Sequence, residues 1–243
     1  MTASERIRGG QDEEALAAWA AELEGRPAEE ILAAAAARFA PRLGFATGFG
    51  AEGCVLVDLA ARHRIPLDLF TLDTGQLFPE TIALWRELES RYDVTIRGVR
   101  GVASYSDADE WTIDPDSCCE RRKVRPLRAE LARLDAWVTA IRRDQTRDRA
   151  TARVVEWDAK FGLVKVNPLV AWTAADVAAY VKAHDVPTNG LHARGYPSVG
   201  CRPCTSPVAP GEDPRAGRWR GRAKTECGLH ARPASLVTPN PES

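Results

Sequence analysis

Between residues 44 and 184, short runs rich in β-branched and aromatic residues alternate with helical segments, and this alternation leaves few architectures open. GFATGF (44–49), LDLFTLD (67–73), VTIRGV (94–99), AWVTAIRR (136–143), VVEWD (154–158) and LVKVNPL (163–169) read as strands, with helices at 51–63, 79–90, 121–133 and 173–184. Parallel neighbours need a crossover of a dozen or more residues, usually a helix, so the spacing predicts an α/β fold with a mainly parallel sheet flanked by helices. Two helices precede it, an amphipathic one containing EEALAAWAAELEG and an Ala-rich one at 28–40 that Pro41 helps to end. From 185 onward Pro and Gly dominate, which predicts irregular structure and a mobile C-terminal arm.

Ligands of such sheets bind at the carboxyl ends of the strands. Those ends here are TGFGAEG (47–53), LDTGQLF (72–78) and IRRDQ (141–145), all carrying Gly or polar groups suited to a nucleotide. Gly48 and Gly50 allow backbone N–H groups to approach an anion at the start of the next helix, although the same pattern also makes a plain tight turn. The loop matches neither GxxxxGK[ST] nor GxGxxG, so P-loop and dinucleotide folds lose their main support. The 243 residues thus read as a single domain: N-terminal helices at 1–40, an α/β nucleotide-binding core at 41–184, and a Cys-containing irregular segment with the arm at 185–243.

Six cysteines stand at 54, 118, 119, 201, 204 and 227. The start, MTASERIRGGQDEE, has no apolar signal core, and no stretch approaches the roughly 18 apolar residues of a membrane helix. A cytoplasmic, reducing location is therefore expected, where thiols serve metals or chemistry more than disulfides. Cys118 and Cys119 are adjacent, and Cys201 and Cys204 form CRPC, so four thiolates can converge on one centre. Structural zinc and an iron–sulfur cubane both accept four thiolates. A vicinal pair is awkward for the tetrahedral angles of one zinc and suits a cubane better, while unrelated buried thiols remain the bland alternative. Cys227, in KTECGLH (224–230), has Lys224 and His230 to favour its thiolate and Glu226 to oppose it, the setting of a nucleophile on an arm, although a bare Cys is more often a core thiol. Cys54 opens the apolar run CVLVDLA and reads as a buried small hydrophobe. His63, His184 and His192 share no ligand spacing, and of the seven Trp only Trp219, between Arg218 and Arg220, is placed to cover a site.

Lys+Arg total 33 against 34 Asp+Glu, a formal charge of -1, so no global field favours nucleic acid or an anionic membrane as partner. The near-zero sum is a cancellation. Residues 105–120 hold Asp107, Asp109, Glu110, Asp114, Asp116 and Glu120 without a base, whereas 120–153 are strongly basic and 214–225 carry Arg215, Arg218, Arg220, Arg222 and Lys224 without an acid. A run of bases is usually a solvated face, but two beside the paired cysteines favour a compact anionic ligand.

Taken together, FGAEGCVL (49–56), TLDTGQLFPET (71–81), CCERRKVRPL (118–127), AWVTAIRRDQ (136–145), KVNPL (165–169), GYPSVGCRPCT (195–205), GEDPRAGRW (211–219) and KTECGLH resemble the phosphoadenylyl-sulfate reductase family, in particular its iron–sulfur branch of assimilatory adenylyl-sulfate reductases. The resemblance implies an adenine nucleotide α-hydrolase-like (ATP pyrophosphatase-like) fold, a 4Fe-4S cluster on Cys118, Cys119, Cys201 and Cys204, and a catalytic Cys227. It further implies reduction of adenylyl sulfate to sulfite and AMP through a Cys227 thiosulfonate, with a separate thioredoxin or glutaredoxin as donor and a homo-oligomer as a common family state. The 3′-phosphorylated nucleotide is the alternative substrate. Lys123, Arg142, Arg143, Arg215 and Arg218 are the candidates for gripping phosphate and sulfo oxygens. The chain departs from the family pattern at Ala46, Thr47 and Gly48, where serines are usual, and at Gly53, where an acid is usual; Ala140, Thr188 and Gly190 differ as well. Two rivals are weaker: an ATP-using relative of the same fold needs an SGGxDS-like loop that TGFGAEG lacks, and a zinc-held nucleic-acid module leaves KTECGLH unexplained.

Overall fold

The computed structural model describes residues 10–101, 110–222, 224 and 227–229. Asp107 and Asp109 of the acidic stretch, Glu226 and His230 beside Cys227, and the end of the arm lie outside the described residues. Six strands form one sheet: β1 Leu43–Ala46, β2 Asp68–Leu72, β3 Arg97–Val99, β4 Ala136–Val138, β5 Val155–Asp158 and β6 Leu163–Val166. Their order is β3-β2-β1-β4-β6-β5, and every neighbouring pair is parallel except β5 with β6. The chain moves outward from β1 through β2 to β3 and then returns to β4 on the other side of β1. The gap between the carboxyl ends of β1 and β4 is therefore a topological switch point, where a crevice opens.

The helices are α1 Gly10–Leu23, α2 Ala28–Phe39, α3 Ala51–Arg62, α4 Pro79–Tyr92, α5 Glu110–Ile113, α6 Pro115–Cys119, α7 Arg125–Leu131 and α8 Ala174–His184. Local chemistry sets several of their ends. Pro79 occupies the first turn of α4, where its missing N–H costs nothing. Thr173 and Asp176 cap each other at the start of α8, and the Asp114 carboxylate accepts from the N–H groups of Asp116 and Ser117 at the start of α6. The helix expected at 121–133 instead begins at Pro115 and passes through a wide π-turn at Glu120–Val124 before continuing as α7. That turn follows the vicinal cysteines directly. β4 is shorter than AWVTAIRR implied; the chain leaves the sheet after Val138, and the polar residues that follow serve a loop.

Alternation along the strands separates two apolar layers. Phe45, Val138, Val164 and Val166 join the larger core with α2 and α3, whereas Phe70, Trp137 and Leu163 pack with Leu127 and Leu131 of α7 on the other face. Edge strand β3 carries Gly98 for a steric reason. A Cβ there would stand 2.7 Å from Cη2 of Trp85, a ring pinned by its Nε1–H donating to the Ile96 carbonyl (3.0 Å) and by stacking on Phe49 at 5.8 Å. Gly98→Ala should therefore destabilise the fold by about 1–3 kcal/mol, the usual range for overpacking. Chemical denaturation should show a lower midpoint at an unchanged slope.

Candidate active site

The three loops at the carboxyl ends of β1, β2 and β4 meet as the sequence implied, but the loop after β1 uses its glycines differently from expectation. The residue in left-handed conformation is Phe49 (φ 58°), not Gly48 or Gly50. Its N–H donates to Thr47 Oγ1 at 3.1 Å, so the threonine hydroxyl organises the turn from within. Nothing lies within 4 Å of where a Cβ of Gly48 would stand, and Gly50 has only the Glu52 carboxylate nearby. Their contribution is open space ahead of α3, whose first turn has no side-chain cap. Gly53 packs under the same hydroxyl: a Cβ at 53 would come within 2.8 Å of Thr47 Oγ1. Across the switch point, Glu52 holds the loop after β4 by an ion pair with Arg142 (3.2 Å) and by accepting from Gln145 Nε2 (3.0 Å).

Beyond the β2 loop, one small pocket is lined by all four of Cys118, Cys119, Cys201 and Cys204, together with Lys123 and Trp219. Two segments bring the thiols there. The last turn of α6 supplies the vicinal pair, while Cys201 and Cys204 flank a single tight turn closed by Cys204 N–H donating to the Cys201 carbonyl (3.0 Å). That turn is tied to the β2 loop by Arg202 N–H donating to the Gln76 carbonyl (2.7 Å) and by Thr74 Oγ1 lying 3.3 Å from Cys201 Sγ. The buried Arg122 guanidinium donates to the Thr74 carbonyl at 2.9 Å, joining the π-turn to the same loop.

No disulfide joins any of the six cysteines. Among the described residues no three His, Cys, Asp or Glu side chains are grouped tightly enough to hold a single metal ion. The donor set in the pocket is all sulfur, a set that both structural zinc and iron–sulfur clusters accept.

Electrostatics distinguish the thiols. Burial raises the pKa of Cys118 and Cys204 and pushes Cys119 up to about 12. Burial acts on Cys201 in the same sense, but the Lys123 ammonium, the Thr74 hydroxyl and Arg218 outweigh it and hold that thiol below its usual value. Lys123, conversely, resists the effect of burial because Cys201, Cys227 and Cys119 favour its charged form, and its pKa is raised. Cys227 is half-buried and within electrostatic reach of Cys119, Lys123 and Arg218. The structure thus brings together Lys123, Arg218 and the five predicted functional cysteines. Arg218 stacks over Trp219 at 4.6 Å and donates to Ser198 and Val199. Gly200 makes room for it, since a Cβ there would stand 2.2 Å from Arg218 Nη2.

The other basic candidates stand elsewhere. Arg143 spends its guanidinium on the Glu24 carboxylate (2.7 and 2.9 Å) and the Ala152 carbonyl, facing α1. Arg142 is buried between Glu52 and Asp144 at the switch point. Arg215 adjoins Arg218 through the backbone turn in which Arg218 N–H donates to its carbonyl. Much of the acidic and basic segregation is spent internally: Lys224 pairs with Asp116, Arg121 with Glu110, Arg220 with Glu212, and Arg222 donates to the Thr112 carbonyl. Thr74, Gln76, Trp111 and Arg122 were not among the sequence candidates, because nothing local marks a residue whose role is to meet a segment about 50 or 125 positions away.

Cys54 is wholly buried in α3, and desolvation pushes its thiol up to about 12. It should resist thiol reagents at pH 8 in the folded protein and react only on denaturation, as peptide mapping after alkylation would show.

Comparison with known proteins agrees with this geometry. The phosphoadenosine phosphosulfate reductase domain matches residues 42–207. A Streptomyces coelicolor protein named adenosine 5′-phosphosulfate reductase is 45% identical over 237 residues, covering 95% of this chain and 100% of the relative. One from Gloeobacter violaceus, named phosphoadenosine 5′-phosphosulfate reductase, is 43% identical over 91% of this chain and 96% of its own length. Among solved structures, the phosphoadenylyl-sulfate reductase of Candida auris in its phosphate complex superposes with a TM-score of 0.70 at 28% identity, covering 82% of this chain and 98% of that one. The sheet order and crossover pattern are those of the adenine nucleotide α-hydrolase-like fold. With the domain match covering more than half its length and such relatives aligned along nearly all of it, the chain belongs to the phosphoadenosine phosphosulfate reductase family.

Proposed function

We propose that the chain reduces adenylyl sulfate to sulfite and AMP, with Cys227 as nucleophile and a separate thioredoxin or glutaredoxin as electron donor. The observation that carries this reading is the arrangement of Cys227 beside Lys123 and Arg218, at the edge of a pocket lined by the other four functional cysteines. A thiolate there attacks the sulfo sulfur; an S–S bond forms, the S–O bond to the phosphate breaks, and AMP leaves with the electron pair. The product on the protein is Cys227–S–SO₃⁻. A donor dithiol then supplies two electrons, becoming a disulfide as sulfite is released and the Cys227 thiol is restored. Lys123 and Arg218 offset negative charge on the nucleotide sulfate, and Arg215 adjoins Arg218; Arg142, held by Glu52 and Asp144, lies at the switch point, and Arg143, committed to Glu24, serves to hold the loop after β4.

Cys118, Cys119, Cys201 and Cys204 are the ligands we assign to a 4Fe-4S cluster, which when bound supplies a fixed charge and a covalent tie between α6 and the 201–204 turn. Among the described residues no helix is long and apolar enough to cross a membrane, and we assign the protein to the cytoplasm, where reduced thiol donors are available. The name of the Gloeobacter relative supports a second substrate, the 3′-phosphorylated nucleotide, and kcat/KM for the two nucleotides compared on one preparation decides between them.

Cys227→Ser should abolish sulfite release, and substrate without reductant should leave its sulfur label on Cys227; label elsewhere, or sulfite at the normal rate, overturns the nucleophile. Iron and acid-labile sulfide should be found together in the purified protein, whereas a colourless protein with stoichiometric zinc would refute the cluster. Gly200→Ala should drive Arg218 from its seat and lower kcat/KM by roughly 10²-fold, the scale of a displaced charge-stabilising group.

A further inference from the structure

Between β5 and β6 lies a tight turn that none of the chemistry above uses. The Asp158 carboxylate accepts from Lys160 N–H (3.1 Å) and Phe161 N–H (3.3 Å), Gly162 N–H donates to the Asp158 carbonyl (2.7 Å), and Arg128 of α7 donates to the Lys160 carbonyl (3.1 Å). Phe161 packs edge-on against Trp137 at 5.7 Å, so the turn is anchored to the second apolar layer. From this rigid base the Lys160 ammonium donates to the carbonyl of Gly228, the residue next to Cys227. Burial lowers the pKa of that ammonium, so a carbonyl partner replaces part of the hydration it has lost. Gly228 is left-handed (φ 83°), its α-carbon turned toward Val124 and Lys160, and Leu229 enters the apolar layer of Phe161, Trp137 and Leu127. On the other side of Cys227, Lys224 is paired with Asp116 and Arg222 with the Thr112 carbonyl.

We propose that Lys160 is a positioning residue: with the pocket that receives Leu229, it seats the segment bearing Cys227 beside Lys123 and Arg218, and release of this seat exposes the cysteine to its reductant. The inference rests on Cys227 being the nucleophile. It adds that the β5–β6 turn, remote in sequence from every cysteine, divides the two half-reactions. Seating favours attack on the nucleotide, where the cations are needed. Reduction of the thiosulfonate by a bulky dithiol protein requires the opposite state, so weakening the seat should separate the steps.

The test uses the intact holoprotein, with Lys160→Ala, Lys160→Arg and Leu229→Asp. In single turnover without reductant, Lys160→Ala should form the Cys227 thiosulfonate at least about ten-fold more slowly, the low end for a hydrogen bond from a charged group. KM for the nucleotide should hold, reduction of preformed thiosulfonate by added thioredoxin should not slow, and iodoacetamide should alkylate Cys227 faster. Lys160→Arg should restore the first step, and Leu229→Asp should reproduce the alanine pattern if Lys160→Ala proves too unstable to assay. Equal slowing of both half-reactions, or unchanged alkylation in both seat-breaking variants, overturns the proposal. If wild-type protein forms no thiosulfonate, the nucleophile reading fails instead, and the alkylation rates still decide whether Lys160 seats the segment.

Discussion

Parallel strands cannot be joined by hairpins, and the rest of this molecule depends on that restriction. Each strand must be followed by a crossover that returns the chain to the same starting edge, so every loop that can carry chemistry emerges at the opposite edge. Here β1, β2 and β4 deliver Thr47–Gly50, Asp73–Phe78 and Thr139–Gln145 to one rim. Within the sheet, β5 is antiparallel to β6 and so provides a hairpin that the parallel strands cannot. It is the tip of this hairpin that meets the segment of Cys227.

The rim carries two different kinds of polar structure. At the switch point, Glu52, Arg142 and Gln145 make a closed set of contacts, and Thr47 shapes the turn after β1 by accepting from Phe49 N–H. At the thiol pocket the ties run between segments far apart in sequence, with the β2 loop as the common partner: Thr74 meets Cys201 and Arg122, and Gln76 meets Arg202. A pocket assembled this way brings four thiols together whose mutual repulsion as anions must be offset. Lys123 and Arg218 are the cations placed to do so, and together with the Thr74 hydroxyl they hold the Cys201 thiol below its usual value despite burial.

Charge that looks wasteful along the chain becomes economical in space. The acidic residues before the vicinal cysteines and the basic residues before Cys227 neutralise one another through Asp116 and Lys224, holding the C-terminal segment near the pocket. Asp116 is exposed while the Lys224 side chain is largely buried, so solvent screens the pair from one side only. Its effect is on where a short stretch of chain spends its time, and a few tenths of a kcal/mol at each of several points is enough to bias it.

The alternation of strand and helix, the parallel sheet and the two cysteine pairs that line one pocket were legible in the residues, because periodicity, adjacency and local composition are properties of neighbours. Cys54 was legible for the same reason, lying in an uninterrupted apolar run. The π-turn after Cys119, the left-handed Phe49, the packing of Gly53 under Thr47 and the diversion of Arg143 to Glu24 were not. Arg143 depends on a carboxylate just past the end of α1, and Phe49 on a ring stacked from α4. The roles of Thr74, Arg122 and Lys160 likewise depend on distant partners. Sequence determined which elements form and which side chains carry charge or sulfur; only the tertiary structure decided which of those groups meet, because a contact between distant residues is set by the packing of whole elements and leaves no mark on the residues beside it.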